Sequence, residues 1–492
     1  MIPTLPFHPA TPLGAVLIPL VAAVLIGLCG KRANLREGVT FGAGAIVLGL
    51  VLSMVGWVLD GHTHTYVLCP LLPAIALSFT VDGAGLLFAV VASTLWLVTS
   101  FYSVGYMRVL KEANQTRFFA CFSVSIAATI GVAFAGNLLT LYLFYELLSL
   151  STWPLVSHHQ DGEARRGGRI YIATLLAASI GLALPAMVAT HLLCGSLDFS
   201  AAGLFPAETG RLTLAALLLM FLFGFAKAGL MPLHGWLPAA MVAPTPVSAL
   251  LHAVAVVKVG VFSLMRVCTG VFGISLLRAT GLNAAISVIA GVTVLTASVI
   301  ALFQDNLKRR LAFSTIGQLA YIVLGVGLAT ASGVSGGLLH IAMHAFAKIT
   351  LFFCAGAIFV ATGKKKVSEL AGIGRRMPLT MTAFSVATLS LIGLPPGGGT
   401  VSKHLIVEGA VEAGFPWVEW LFSISAFLNA AYFLPIVYVA FFRAWPEERQ
   451  GRTIAEAPLA CWLAPAITAT ISVALYFWPG FFLAFVDQMA MP

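Results

Sequence analysis

Five charged residues stand in or beside long apolar runs of this sequence: Glu146, Lys227, Lys258, Lys348 and Lys403. Three histidines, His252, His340 and His344, share those runs. A charge at a bilayer centre costs roughly 2.5 to 3.5 kcal/mol on insertion scales, so an ionisable group there reads as functional unless a partner or snorkelling accounts for it. Carboxylate, imidazole and amine each take up and release a proton, so the chemistry these groups offer together is proton transfer.

Glu146, in LLTLYLFYELLSLSTWPLV, is the acidic residue placed in the middle of an unbroken run. It reads as a structural ion pair or a protonated, hydrogen-bonded acid, or more sharply as the partner of Lys227, in a pair whose strength depends on the approach of a second charge. Lys258 is too far from either end of its run for easy snorkelling, and a lysine that loses its proton near neutral pH can relay one. His252, six residues earlier in HAVAVVK, would alone be an ordinary packing histidine; beside Lys258 it is suited to proton exchange.

The segment GLLHIAMHAFAKITLFF sets His340, His344 and Lys348 at intervals of four, which puts all three on one helical face. Three titratable groups in file are difficult to account for as packing. Metal binding by His340 and His344 would need a third and fourth ligand, and none is apparent, so no metal is expected. Lys403 follows PPGGGT and is either a loop lysine or the far end of the path, with His404 and Glu408 as weaker members of an exit. Lys364, Lys365 and Lys366 read as a solvated anchor.

The elements that must position these groups are membrane spans. Hydrophobic residues make up 60% of the 492 and charged residues 9%, against roughly 25% in soluble proteins. With about 20 apolar residues per span, windows predict spans at 13–30, 39–58, 83–105, 118–136, 138–156, 170–194, 212–241, 246–268, 282–303, 311–330, 335–362, 379–413, 418–442 and 459–486. The expected fold is therefore an all-α polytopic membrane protein of about fourteen helices with no sizeable soluble domain. No soluble basic face exists to bind nucleic acid. The seven cysteines, Cys29, Cys69, Cys121, Cys194, Cys268, Cys354 and Cys461, are dispersed and fit neither a cluster, a zinc site nor a disulfide framework. No cofactor is expected. MIPTLPFHPATP lacks a positive stretch before its apolar run, which argues for a true first span rather than a cleaved signal peptide.

Twenty of the 27 lysines and arginines fall in loops after odd-numbered spans, among them Arg165, Arg166, Lys308, Arg309, Arg449 and Arg452. Four more are the membrane lysines, which leaves Arg211, Arg266 and Arg278 for the other side. By the positive-inside rule the basic loops are cytoplasmic and both termini lie outside. Two spans are broken, the seventh at LMPLHGWLP and the twelfth at GLPPGGGTVSKH, each beside a lysine. Interrupted segments at corresponding places suggest inverted repeats with the site at the breaks. The layout gives N-terminal helices one to three over 1–117, two five-helix units at 118–269 and 270–442, and a last helix in 443–492.

NLLTLYLFYELLSLSTWPLV, GFAKAGLMPLHGWLPAAMVAPTPVSALLHAVAVVKVG, QDNLKRRLAFSTIGQLAY and HIAMHAFAKITLFFCAG together resemble the antiporter-like subunits of Mrp-type cation/proton antiporters, respiratory complex I and membrane-bound hydrogenases. The resemblance covers roughly residues 80 to 440. It implies fourteen helices with two inverted five-helix repeats, a coupling ion pair of Glu146 and Lys227, a central axis of Lys258, His340, His344 and Lys348, and Lys403 as terminal residue. The lysine at 403 looks more like the D subunit of Mrp antiporters or a hydrogenase counterpart.

The expected function is proton translocation by a subunit of a larger assembly in a prokaryotic cytoplasmic membrane. Its expected partners are other membrane subunits, protons, Na+ and the lipid bilayer. Driven by redox chemistry elsewhere, the same subunit would serve a complex I-related NADH dehydrogenase, a formate hydrogenlyase or an energy-converting hydrogenase. Two rivals are a redox subunit with its own cofactor or quinone site, and a self-sufficient transporter of a small solute. The first lacks cluster cysteines and a nucleotide fingerprint; the second would work without partners.

Overall fold

The computed structural model describes residues 8–72, 75–444 and 455–488, so Arg449 and Arg452 lie outside the described residues. Among these, twelve helices are long and apolar enough to cross a membrane. The first six are Thr11–Cys29, Ala33–Leu59, Gly83–Val109, Gln115–Ala133, Leu138–Val156 and Gly162–Cys194. The other unbroken ones are Thr245–Phe272, Leu282–Leu302, Leu307–Gly327, Ala331–Thr362, Trp417–Phe442 and Leu459–Phe477. The seventh and twelfth spans complete the set as interrupted helices, Arg211–Gly224 followed by short turns, and Pro378–Ile392 followed by Gly399–Ala413. Every expected span is thus present where the apolar windows place it.

Short polar side chains fix several starts. Asp82 accepts from Gly85 N at 2.8 Å, Asn137 from Thr140 N at 2.8 Å and Asp161 from Ala164 N at 2.7 Å, each satisfying a backbone donor that the first helical turn leaves unpaired. Apolar side chains such as Leu28 (78% exposed) and Phe427 (74%) point outward, as helices facing hydrocarbon require. By contrast the eighth span is wholly buried and the tenth nearly so. They form the axis of the bundle.

The loops sort onto two faces. On one, Arg36 after the first span donates to Gln115 Oε1 at 2.8 Å, and His159 after the fifth meets Glu112 after the third at 3.3 Å. On the same face Lys308 donates to Ala243 O, Val367 N to Asp305 O at 2.7 Å, and Gly372 N to Val439 O at 3.1 Å. These contacts gather the loops that follow odd-numbered spans. On the other face Arg266 grips Asp82 at 2.6 and 2.7 Å, and Arg278 donates to Glu412 O at 3.2 Å. The charge asymmetry of the sequence is therefore an asymmetry between the two faces of the folded bundle.

One element departs from the all-α expectation. His64–Leu72 and Ile75–Val81 pair as an antiparallel hairpin between the second and third spans. It lies over the Asp82 face, where Thr80 N donates to Phe134 O at 2.6 Å and Gly136 N to Ser78 O at 3.0 Å. Apolar windows tuned to spans of about 20 residues do not register strands of nine and seven. The eighth span also differs from the regular helix expected. It contains wider turns at Leu250–Val254 and Val267–Phe272, and the first of these carries His252. Such bulges shift the register of a helix and recur at functional sites.

Candidate proton-transfer site

The seventh span stops at Gly224, and Ala226–Ala228 form a single tight turn that presents Lys227. Gly229 then takes a φ of +73°, a left-handed conformation that favours glycine. The backbone groups freed by this break find protein partners. Lys227 N donates to Tyr145 Oη at 3.1 Å, Met231 N to Thr293 Oγ1 at 3.3 Å, and Trp236 Nε1 to Ala226 O at 3.0 Å. That is the condition for irregular backbone inside a membrane. Gly260 on the eighth span passes so close that a Cβ there would sit 2.1 Å from Ala228 N, so the turn is seated directly against the central helix.

The Lys227 ammonium does not make the expected direct ion pair with Glu146. Its Nζ donates to Tyr145 O at 2.6 Å and lies 3.1 Å from the Tyr145 ring centroid. Both Glu146 carboxylate oxygens are buried without a hydrogen-bond partner. Tyr145 comes between Lys227 and Glu146 because it is the neighbour of Glu146 on the same helix, and its carbonyl and ring reach the broken turn first.

On the eighth span Lys258 is completely buried and its Nζ is hydrogen-bonded to His344 Nδ1 on the eleventh. His344 and His340 stack with ring centroids 5.8 Å apart and planes 12° from parallel, as the four-residue spacing requires. His340 Nδ1 lies 2.8 Å from Ser402 Oγ, and its Nε2 lies 3.1 Å from Gln318 Oε1. Gln318 Nε2 donates to Leu391 O at 3.1 Å, and the same carbonyl accepts from Lys403 Nζ at 2.6 Å. Lys258, His344, His340 and Gln318 thus lie in file, and Lys403 meets the same backbone carbonyl as Gln318.

Lys348, the third member of the expected file, turns toward the tenth span and donates to Ser314 Oγ at 2.9 Å. The next residue there, Thr315, bonds His252 Nδ1 at 3.0 Å through its Oγ1. Adjacent hydroxyls on one helix therefore hold Lys348 and His252 in the same neighbourhood as Lys258. With all these groups basic, a proton on one disfavours a proton on the next by Coulomb repulsion in a low-dielectric interior. No hydrogen bond among the described residues joins Lys227 to Lys258.

Lys403 is not a loop lysine. It is 7% exposed and its ammonium sits on Leu391 O and Ile392 O, the last carbonyls of Pro378–Ile392, where a helix end favours a cation. Gly393, at φ +96°, turns the chain away and would crowd the lysine stem at 3.1 Å if it carried a Cβ. His404 and Glu408 are exposed on the opposite side of the same helix, so they stand apart from this path.

Tyr145, Ser314, Thr315, Gln318, Tyr321 and Ser402 are members that the charged residues alone do not reveal. Tyr321 lies edge-on to His340 with ring centroids 5.9 Å apart, and its ring faces the Lys403 ammonium at 5.0 Å. A signal was present in LAFSTIGQLAY, where Ser314, Gln318 and Tyr321 recur four and three residues apart on an otherwise apolar helix. Among the described residues, no three histidine, cysteine or acidic side chains gather as a metal site.

Comparison with known proteins identifies the relatives of this chain. Residues 135–429 match the family described as NADH:quinone oxidoreductase/Mrp antiporter, TM. NADH-quinone oxidoreductase subunit N of Desulforudis audaxviator is 31% identical over 460 residues, covering 89% of this chain and 87% of that protein. Na(+)/H(+) antiporter subunit A1 of Staphylococcus aureus is 29% identical over 506 residues, covering 95% of this chain and 61% of that longer protein. A chain of the Mrp complex from Dietzia sp. superposes with a TM-score of 0.86 at 22% identity, covering 97% of this chain and 96% of that one. A chain of the membrane-bound sulfane sulfur reductase, an archaeal respiratory membrane complex, does so with the same values. The structural likenesses show the fold, and the matched residues contain Glu146 and all four buried lysines. This chain is an integral, multi-pass membrane protein and belongs to the NADH:quinone oxidoreductase/Mrp antiporter transmembrane family.

Proposed function

We propose that this chain translocates protons as an antiporter-like subunit of a multisubunit membrane complex. The observation that carries the reading is the buried series Lys258–His344–His340, with Gln318 beside His340 and Lys403 seated on the same Leu391 carbonyl that Gln318 meets. Lys258 passes a proton to His344 Nδ1, and His344 releases one from Nε2 toward the stacked His340. Lys348 and His252 share the charge of the central region, and Lys403 ends the path at the broken twelfth span. Glu146 and Lys227 set the electrostatic state of the first break, and a conformation that brings them into direct contact alternates with the one in which Lys227 rests on Tyr145.

The two breaks, each with a lysine and a left-handed glycine, support the reading of 118–269 and 270–442 as inverted five-helix units. The face with the basic loops is cytoplasmic, both termini lie outside, and the membrane is the cytoplasmic membrane of a prokaryote. A Mrp-type Na+/proton antiporter is the preferred assembly, with the lysine at 403 pointing to a D-type subunit. The relative named NADH-quinone oxidoreductase subunit N favours a second reading, the pumping arm of a redox-driven complex.

Inverted membrane vesicles containing the assembled complex test the proposal. Sodium addition should dissipate an imposed pH gradient, and Lys258→Ala should abolish the response while the complex remains assembled. Full response in Lys258→Ala, His344→Ala and Lys403→Ala vesicles would sink the relay. A pH gradient formed on addition of an electron donor, with no sodium response, would select the redox reading.

A further inference from the structure

A cavity of about 760 Å³ opens among the loops of the basic face, between the ends of the third, fifth, ninth and eleventh spans. That volume is ordinary for a small-ligand site. Its wall carries five basic side chains, Arg166, Lys308, Arg309, Lys364 and Lys365, against the carboxylates of Glu112 and Glu163. Glu112 is engaged by His159 at 3.3 Å, and Lys308 is committed to Ala243 O. Lys365 Nζ lies 4.8 Å from the Phe359 ring centroid. Arg166 and Arg309 are exposed, and among the described residues no carboxylate lies within ion-pair distance of either.

The wall also carries the apolar side chains of Ile170, Met241 and Phe359. An excess of guanidinium and ammonium groups beside apolar side chains, at the boundary between loops and spans, suits a phosphate. Guanidinium binds phosphate oxygens in a planar fork, and basic pockets between spans take anionic headgroups. We propose that this cavity binds a phosphate-bearing anion, held by Arg166 and Arg309 over the mouth of the bundle. The source is either an anionic phospholipid headgroup or free phosphate. Because Arg166 lies near the start of the sixth span and Arg309 in the first turn of the tenth, the ligand ties the two halves of the chain together at this face.

The full-length chain, purified in mild detergent, is titrated with phosphatidylglycerol, with phosphatidylcholine and with inorganic phosphate while thermal unfolding is followed. Phosphatidylglycerol should raise the midpoint where phosphatidylcholine does not, and Arg166→Gln with Arg309→Gln should weaken this about tenfold or more, as loss of two charge-assisted hydrogen bonds predicts. Arg165→Gln with Arg169→Gln, which changes the same helix start outside the cavity, should respond like the unaltered chain. Stabilisation by inorganic phosphate with the same dependence on Arg166 and Arg309, and none by the lipid, assigns the free anion. Equal responses of the unaltered chain and the Arg166/Arg309 variant to every probe, or an equal loss in the Arg165/Arg169 variant, would overturn the site.

Discussion

Lys258 and His344, eighty-six residues apart in sequence, are hydrogen-bonded to each other in the buried centre of the bundle. Groups that act as one unit lose function non-additively. Lys258→Ala and His344→Ala should each slow proton transport by at least about tenfold, and the double variant should be no slower than the worse single one. Vesicle proton uptake measured on all three checks this. Multiplicative losses would show that the two residues serve separate routes.

Glu146 makes no hydrogen bond in this arrangement, while Lys227 is held by Tyr145. Glu146→Gln should therefore leave the thermal midpoint nearly unchanged and still reduce transport. Breaking a buried ion pair costs about 3 to 5 kcal/mol. A destabilisation of that size in Glu146→Gln, read by denaturation of the purified chain, would mean that the direct pair prevails in the resting protein.

Gln318 is the bridge between His340 and the Leu391 carbonyl that also receives Lys403. Gln318→Leu leaves buried partners unsatisfied at about 1 to 3 kcal/mol. Transport should fall while Lys258 and His344 keep their contact. Gln318→Glu, which retains an acceptor for His340, should recover part of the rate. If Gln318→Leu transports normally, the exit does not pass this residue.

Gly260 lets the Lys227 turn touch the eighth span. A methyl group there meets backbone at 2.1 and 2.2 Å, at Ala228 N and Lys227 C, so a side chain cannot simply rotate aside. Gly260→Ala should cost about 1 to 3 kcal/mol through overpacking and displace the turn. A lower unfolding midpoint together with lost transport is expected; an unchanged midpoint would contradict the close seating.

Acid should act on the basic face through two adjacent histidines. The hydrogen bond to Glu112 raises His159 above its usual value, and the same bond lowers Glu112. Burial is the largest cause lowering His158 to about 4, with Arg117 adding to it. The raised His159 contributes stability below about pH 6.5 that is lost as pH rises through its folded value, and the lowered Glu112 contributes above about pH 4.5, lost as pH falls through its folded value. His158 works against them: its unfolded form takes up a proton near pH 6.5 while the folded form resists until about 4, so stability drains across that window. His158→Gln should flatten the fall in unfolding midpoint between pH 6.5 and 4, whereas His159→Gln should lower the midpoint throughout that window without changing its slope.

Membrane burial makes much of this protein legible in its sequence. A span must satisfy its backbone internally and present apolar side chains, so runs such as that ending at Cys29 or starting at Leu282 declare themselves. The same rule makes each buried lysine conspicuous, and the breaks at Gly229 and Gly393 are visible because glycine and proline there suit no continuous helix. The loop asymmetry followed from counting charges. The β-hairpin before Asp82 did not, because its strands are shorter than the period of a membrane window.

What only the tertiary structure decided is which neighbours these groups take. Hydrogen bonds across helices depend on crossing and register, which local sequence leaves open. The wider turn at Leu250–Val254 brings His252 to Thr315; a neighbouring carbonyl and ring place Lys227 on Tyr145 rather than on Glu146. Neutral polar residues such as Gln318 and Ser402 cost little to bury and so left no strong mark in the sequence, yet His340 bonds both. The charged members of the site were fixed by the cost of burying charge, and its connections by the packing of the helices that carry them.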